Sequence, residues 1–145
     1  MKLTFKGDYA LKAVLDLAIH YNKELVTASD LAKRIDAPVK FLEQVLLELK
    51  KGGIVESKRG NIGGYQLSRP PRQITVGDVV RLIEGPIEPI ACVRPEYTNC
   101  ADLHKCAFRK IWQDVYKATA DIVDKANFEE LAAKAGAGQE FSYSI

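Results

Sequence analysis

All three cysteines of this chain, Cys92, Cys100 and Cys106, fall within one run of 15 residues, Cys92-Val-Arg-Pro-Glu-Tyr-Thr-Asn-Cys100-Ala-Asp-Leu-His-Lys-Cys106. A cysteine dispersed through a core acts as a small hydrophobe. Three in one polar, proline-containing run have no such use. Thiolates gathered this way suit a soft metal ion or an iron–sulfur cluster. His104 lies between the second and third cysteines and offers an imidazole as a fourth donor. The same four residues could hold a structural zinc ion as a Cys₃His site, although the close pairs typical of such sites are absent. Two of the thiols could instead form a reversible disulfide in a redox sensor. Permanent disulfides are disfavoured by the odd cysteine count.

The elements around the cysteines read as a DNA-binding unit followed by a long helix. A first helix is expected over 9–21, with Leu11, Val14, Leu15, Ala18 and Ile19 at helical spacing and Asp8 as its cap. Thr27 opens a second helix, and Asp36-Ala37-Pro38 ends it. Pro38 then opens a third, about 39–51, which buries Phe41, Leu42, Val45, Leu46 and Leu49 and is stopped by Gly52-Gly53. Two helices joined by a tight turn make a helix-turn-helix, whose second helix enters the major groove. A hairpin follows, with strands 54–57 and 65–68 around a glycine-rich tip that carries Lys58 and Arg59. A basic hairpin after a helix-turn-helix is a wing, and an arginine at its tip suits the negative minor groove. Thr75 caps a short helix over 76–84.

Residues 86–100 read as an irregular loop. A helix expected over about 101–126 presents Phe108, Ile111, Trp112, Val115, Tyr116, Thr119, Ile122 and Val123, a broad apolar face for pairing with a second copy. Asn127 starts a further helix, and the tail from Gly136 is expected to be loose. The fold class is therefore mainly α with a small β-hairpin wing. The chain divides into a winged helix-turn-helix domain (1–85), a cysteine-containing cluster-binding loop (86–106), and a dimerisation helix with a C-terminal helix (101–135).

Charge and composition agree. The net charge is only +2, but residues 1–85 carry fourteen Lys/Arg against ten Asp/Glu, and residues 86–145 seven against nine. Residues 50–72 hold six basic side chains against Glu56 alone, the footprint of a phosphate backbone. There is no apolar run of membrane-spanning length and no secretory leader at the start, which points to the cytoplasm. No nucleophile–histidine–acid order or phosphate-binding loop is visible. The glycine-rich Gly60-Asn61-Ile62-Gly63-Gly64 lies in a hairpin and opens no helix. An enzyme and a small-molecule substrate are not expected.

Met1-Lys2-Leu3-Thr4, Leu42-Glu43-Gln44, the wing Arg59-Gly60-Asn61-Ile62-Gly63-Gly64-Tyr65-Gln66-Leu67 and the three-cysteine loop together resemble the bacterial regulator family that contains IscR, NsrR and CymR. The resemblance spans roughly residues 1–130, and the loop narrows it to the cluster-binding, IscR-like branch. It implies a homodimeric winged-helix transcription factor on a double-stranded DNA operator, a repressor type that senses iron–sulfur cluster status and controls cluster assembly genes. The cluster would be [2Fe-2S] rather than [4Fe-4S]. Nitric-oxide or redox sensing is the alternative within the family. Glu43 and Gln44 match positions that face bases, Arg59 matches one that enters the minor groove, and Lys40 joins them by position alone. The chain departs from the family at the fourth ligand. Arg109 stands where the IscR type has its histidine, three residues after the last cysteine. Besides His104, Asp8 matches an N-terminal carboxylate ligand that NsrR-like proteins supply from the partner subunit.

Overall fold

A computed structural model of the chain describes residues 1–138. Eight main elements follow in order: α1 (Phe5–Ile19), α2 (Ala28–Ile35), α3 (Val39–Lys51), β1 (Val55–Lys58), β2 (Gly64–Leu67), α4 (Val76–Glu84), α5 (Arg109–Lys125) and α6 (Phe128–Gly138). Short 3₁₀ turns lie at Pro71–Gln73 and Ala91–Val93.

α1 is the centre of the fold. It buries Ala10, Ala13, Val14, Leu17 and Ala18 in a core shared with α3, the wing and Phe128 of α6. It starts four residues before the position expected from Asp8. Thr4 caps it, accepting from the Gly7 amide at 3.3 Å. Thr4 is itself held by Glu84 at the end of α4, and this long-range contact selects Thr4 over Asp8. Asp8 instead lies in the first helical turn, where a carboxylate meets the positive end of the helix dipole. It pairs with Lys12 at 2.8 Å.

The helix-turn-helix forms as its caps require. The Thr27 hydroxyl accepts from the Asp30 amide at 3.1 Å, and α2 ends on Asp36 in the left-handed region, φ 53°. Pro38 precedes α3, whose Leu42, Val45, Leu46 and Leu49 are fully buried. Phe41 is half-buried and meets Tyr9 edge-on, with ring centroids 5.6 Å apart. α3 stops in a Schellman turn. Gly53 takes φ +76°, and the Ile54 amide reaches back to the Leu49 carbonyl at 3.0 Å.

Because Ile54 completes that turn, the wing strands are shifted by one residue from the expected 54–57 and 65–68. The register runs from Val55 opposite Leu67 to Lys58 opposite Gly64. Two hydrogen bonds between Val26 and Tyr65, 3.0 and 2.7 Å, tie the hairpin to the segment before α2. Thr75 and Asp78 form a reciprocal capping box at the start of α4.

α5 begins at Arg109, not at about 101. The residues before it form isolated turns, such as Leu103 amide to Cys100 carbonyl and Lys105 amide to Asp102 carbonyl. A helix there would bury almost nothing, since all of 101–107 except Leu103 is exposed, and short helices without tertiary packing are marginal. α5 packs through one edge, with Val123 against Val80 and Ile87 and with Tyr116 and Ala120 beside them. Its end is strapped to the wing unit by Val76 amide to Ala126 carbonyl (2.8 Å) and Phe128 amide to Ile74 carbonyl (3.0 Å). Asn127 caps α6, accepting from the Glu130 amide at 3.0 Å. Residues 136–138, expected to be loose, continue α6; the rest of the expected tail lies outside the described residues.

Candidate nucleic-acid interface and cysteine loop

Lys40, Glu43 and Gln44 are exposed on α3. Positions i, i+3 and i+4 share one face of a helix, and here that face lies opposite the buried leucines. Lys58 ends β1 and Arg59 begins the tip, both exposed. Among the described residues, no ion pair or side-chain hydrogen bond occupies any of these five side chains. Their donors and acceptors are open to a ligand. The end of α3 is coupled to the wing by a 2.7 Å bond from Lys50 Nζ to Ser57 Oγ.

The basic segment divides in two. Lys50 is used internally. Arg69 donates to the Gly53 carbonyl at 3.0 Å and to the Gln73 carbonyl at 3.3 Å, which locks the base of the wing. Lys51, Lys58, Arg59 and Arg72 remain exposed. A count of charges along the chain could not separate these two uses.

The cysteines lie on the connection between α4 and α5. Cys92 is half-buried in the Ala91–Val93 turn, and Cys100 and Cys106 are exposed; all three are free thiols. Val93 beside Cys92 is buried, and the Arg109 Nε donates to the Cys92 carbonyl at 3.2 Å, so the turn is tied to the start of α5. The backbone hydrogen bonds described for 93–106 are all local turns. His104 is exposed in the same stretch. The described residues contain no group of three or more His, Cys, Asp or Glu placed to hold a metal ion. The donor set fits a thiophilic metal in type and in confinement to one loop, but the thiols are not drawn together. Asp8 lies on α1, paired with Lys12, and joins no such group of ligands among the described residues.

A winged helix with an exposed polar face on α3 narrows the possible relatives. Residues 3–134 match the family described as Rrf2, iron-dependent transcriptional regulator. The chain belongs to the Rrf2 family. It is 38% identical over 138 residues to a helix-turn-helix regulator of Rhodobacter capsulatus described as rrf2-like, covering 90% of this chain and 92% of the relative. Its fold is similar to that of CymR, the global cysteine regulator of B. subtilis, with a TM-score of 0.78 at 30% identity, covering 92% of this chain and 98% of CymR. It is also similar to IscR of T. potens, with a TM-score of 0.74 at 30% identity, covering 93% and 88%. This Rrf2-family chain is thus a winged-helix transcriptional regulator and not an enzyme. No helix among its described residues is long and apolar enough to cross a membrane.

One contact of the regulator had no local signal in its sequence. Arg81 of α4 grips Asp124 of α5 with two hydrogen bonds of 2.6 and 2.9 Å. The pair sits over Gly77, where a Cβ would press on the Asp124 carboxylate. The Arg81 hydrogen bonds hold the Asp124 carboxyl below its usual 3.8, and the guanidinium is raised in turn. Both side chains are more than a third exposed, so solvent screening limits the pair to about 1 kcal/mol or less. A depressed carboxylate contributes stability above its unfolded pKa and loses it as pH falls through the folded value. Asp124→Asn is therefore expected to be slightly less stable than wild type at neutral pH. The difference should close as the pH drops below the depressed Asp124 pKa, as read by urea unfolding across that range.

Proposed function

We propose that this regulator is a homodimer that binds double-stranded DNA with α3 and the wing and carries an iron–sulfur cluster on Cys92, Cys100 and Cys106. [2Fe-2S] is favoured over [4Fe-4S], the genes controlled are those of cluster assembly, and the setting is the cytoplasm. The observation that carries the reading is the confinement of three free thiols to the loop that joins α4 to α5, with its first cysteine turn tied to α5 through Arg109. A cluster, when bound, supplies a labile, redox-active iron centre. The three thiolates would hold it, with His104 of the same loop or Asp8 of a second copy as the fourth donor. Arg109 cannot ligate.

The remaining residues have distinct tasks. To meet at one centre, the thiols must draw the 92–106 segment inward. That movement reaches α5 through the Cys92–Arg109 bond, and from α5 the DNA-binding unit through Arg81–Asp124 and the 74–76 strap. Gln44 can bond an adenine edge, and Glu43 can accept from a cytosine amino group while repelling phosphate. Arg59 enters the minor groove, and Lys40 and Lys58 meet phosphates.

The test compares protein purified without oxygen with the same protein after iron chelation, each titrated into DNA sites enriched from a random pool. The two forms are expected to differ in affinity on at least one class of site. Identical affinities on every site would remove the cluster from the mechanism. On those sites, Glu43→Ala should relax selection at one base pair, a loss of about 1–3 kcal/mol in discrimination. Arg59→Ala should weaken binding and reduce the salt dependence by about one charge per wing. Thiol oxidation, alone or by nitric oxide, is the second reading, favoured by the exposure of Cys100 and Cys106. It predicts that oxidising metal-free protein changes its DNA affinity.

A further inference from the structure

The wing carries an apolar side chain that the fold does not use. Ile62 is 89% exposed, the highest value among the exposed large hydrophobic residues described. Its place is fixed by backbone geometry. The Gly63 amide donates to the Gly60 carbonyl at 3.0 Å, which closes a four-residue turn with Asn61 and Ile62 at its corners. Gly60 takes φ +117°, and a Cβ at Gly63 would press into the Lys58 carbonyl. Hairpin corners favour Gly, which takes positive φ freely, and Asn, Asp and Ser, whose side chains bond the nearby backbone; isoleucine does neither. Ile62 therefore serves neither the turn nor the core. It is held outward at the apex, three residues from Arg59.

Resting on the reading that the wing faces DNA, we propose that Ile62 is a minor-groove contact, an apolar wedge pressed on a base step beside the point where Arg59 enters. The walls of the groove are deoxyribose C–H groups, and isoleucine is among the side chains that wedge between base steps and bend the duplex. Pyrimidine–purine steps yield most easily, so the wedge would favour sites that place such a step next to the A·T-rich tract read by Arg59. An uncharged contact contributes affinity without releasing counterions, unlike an arginine or lysine on phosphate.

The probe is a duplex enriched from a random-sequence pool by the wild-type full-length protein. Ile62→Ser is expected to bind it about tenfold more weakly, the size expected when burial of an isoleucine side chain is lost. The salt dependence should be unchanged, and the bend measured by circular permutation should be smaller. Ile62→Leu should restore both. The thermal midpoint of Ile62→Ser should equal that of wild type, because the side chain packs on nothing. Arg59→Ala is the contrast, with lower affinity and a lower salt slope. Wild-type affinity and bend in Ile62→Ser, with Arg59→Ala still impaired, would overturn the inference and leave the DNA reading intact. Failure of the wild type to enrich any sequence would overturn the DNA reading and the wedge with it.

Discussion

Purified and kept without oxygen, the protein is expected to be brown, with visible absorption and with iron and acid-labile sulfide in equal amounts, and Cys92→Ala is expected to be colourless. The three cysteines are the only thiols in the chain. Removal of one leaves two on a loop whose described backbone bonds are all local, too few to retain iron against buffer ligands and water. The effect should be close to complete loss of bound iron, because metal binding at such a site supplies the free energy that organises it. Misfolding is not a competing cause. Cys92 is half-buried and Cys100 and Cys106 are exposed, so truncation of any of them costs little packing, and thermal unfolding of the metal-free variants should match metal-free wild type. His104→Ala and Asp8→Ala separate the candidates for the fourth donor. Loss of the true donor shifts the spectrum and makes the iron easier to chelate, and loss of the other does neither. Iron content and spectrum that survived Cys92→Ala would remove Cys92 as a ligand. A colourless wild type with stoichiometric zinc would replace the cluster with a structural metal.

The winged-helix half was legible in the sequence because its signals are local. Thr27, Pro38, the Gly52-Gly53 stop and the Thr75–Asp78 box each act within a few residues, and each appears in the fold where the chain placed it. The misplacements arise where a distant partner decides. Thr4 and Asp8 are both good caps, and Glu84, eighty positions away, selects Thr4. The 101–107 stretch can be read as helix, but it has no surface to pack on and breaks into turns. Arg81 and Asp124 are 43 residues apart and fall in no motif. The cysteine site was legible as a donor set and not as a geometry. A loop whose described backbone bonds are all local does not by itself bring its thiols together, and gathering them would fall to a bound metal and to a fourth donor that the sequence leaves open between His104 and Asp8.

Charging the outer face of α5 is expected to split the protein into monomers and to lower its affinity for a two-fold symmetric DNA site on the order of 100-fold. Phe108, Ile111, Trp112, Val115 and Ile122 recur at helical spacing and are exposed, Ile122 by 71% and Ile111 by 52%, whereas Val123 is the one buried residue described on that helix. A contiguous apolar stripe of this length marks an interaction surface, and a second copy brings the same stripe. Ile111→Glu with Ile122→Glu would place two carboxylates in that seam at no cost to the chain's own core. Sedimentation should show a dimer for wild type and a monomer of native helix content for the variant. The loss on DNA follows from bivalency: one half-site contact no longer raises the local concentration of the other. The same variant bears on the cluster. If Asp8 of a second copy is the fourth donor, the monomer loses the wild-type spectrum along with the dimer; if His104 is the donor, the spectrum survives in the monomer. A wild type that sediments as a monomer at concentrations where it saturates DNA would remove both the paired helix and the shared ligand.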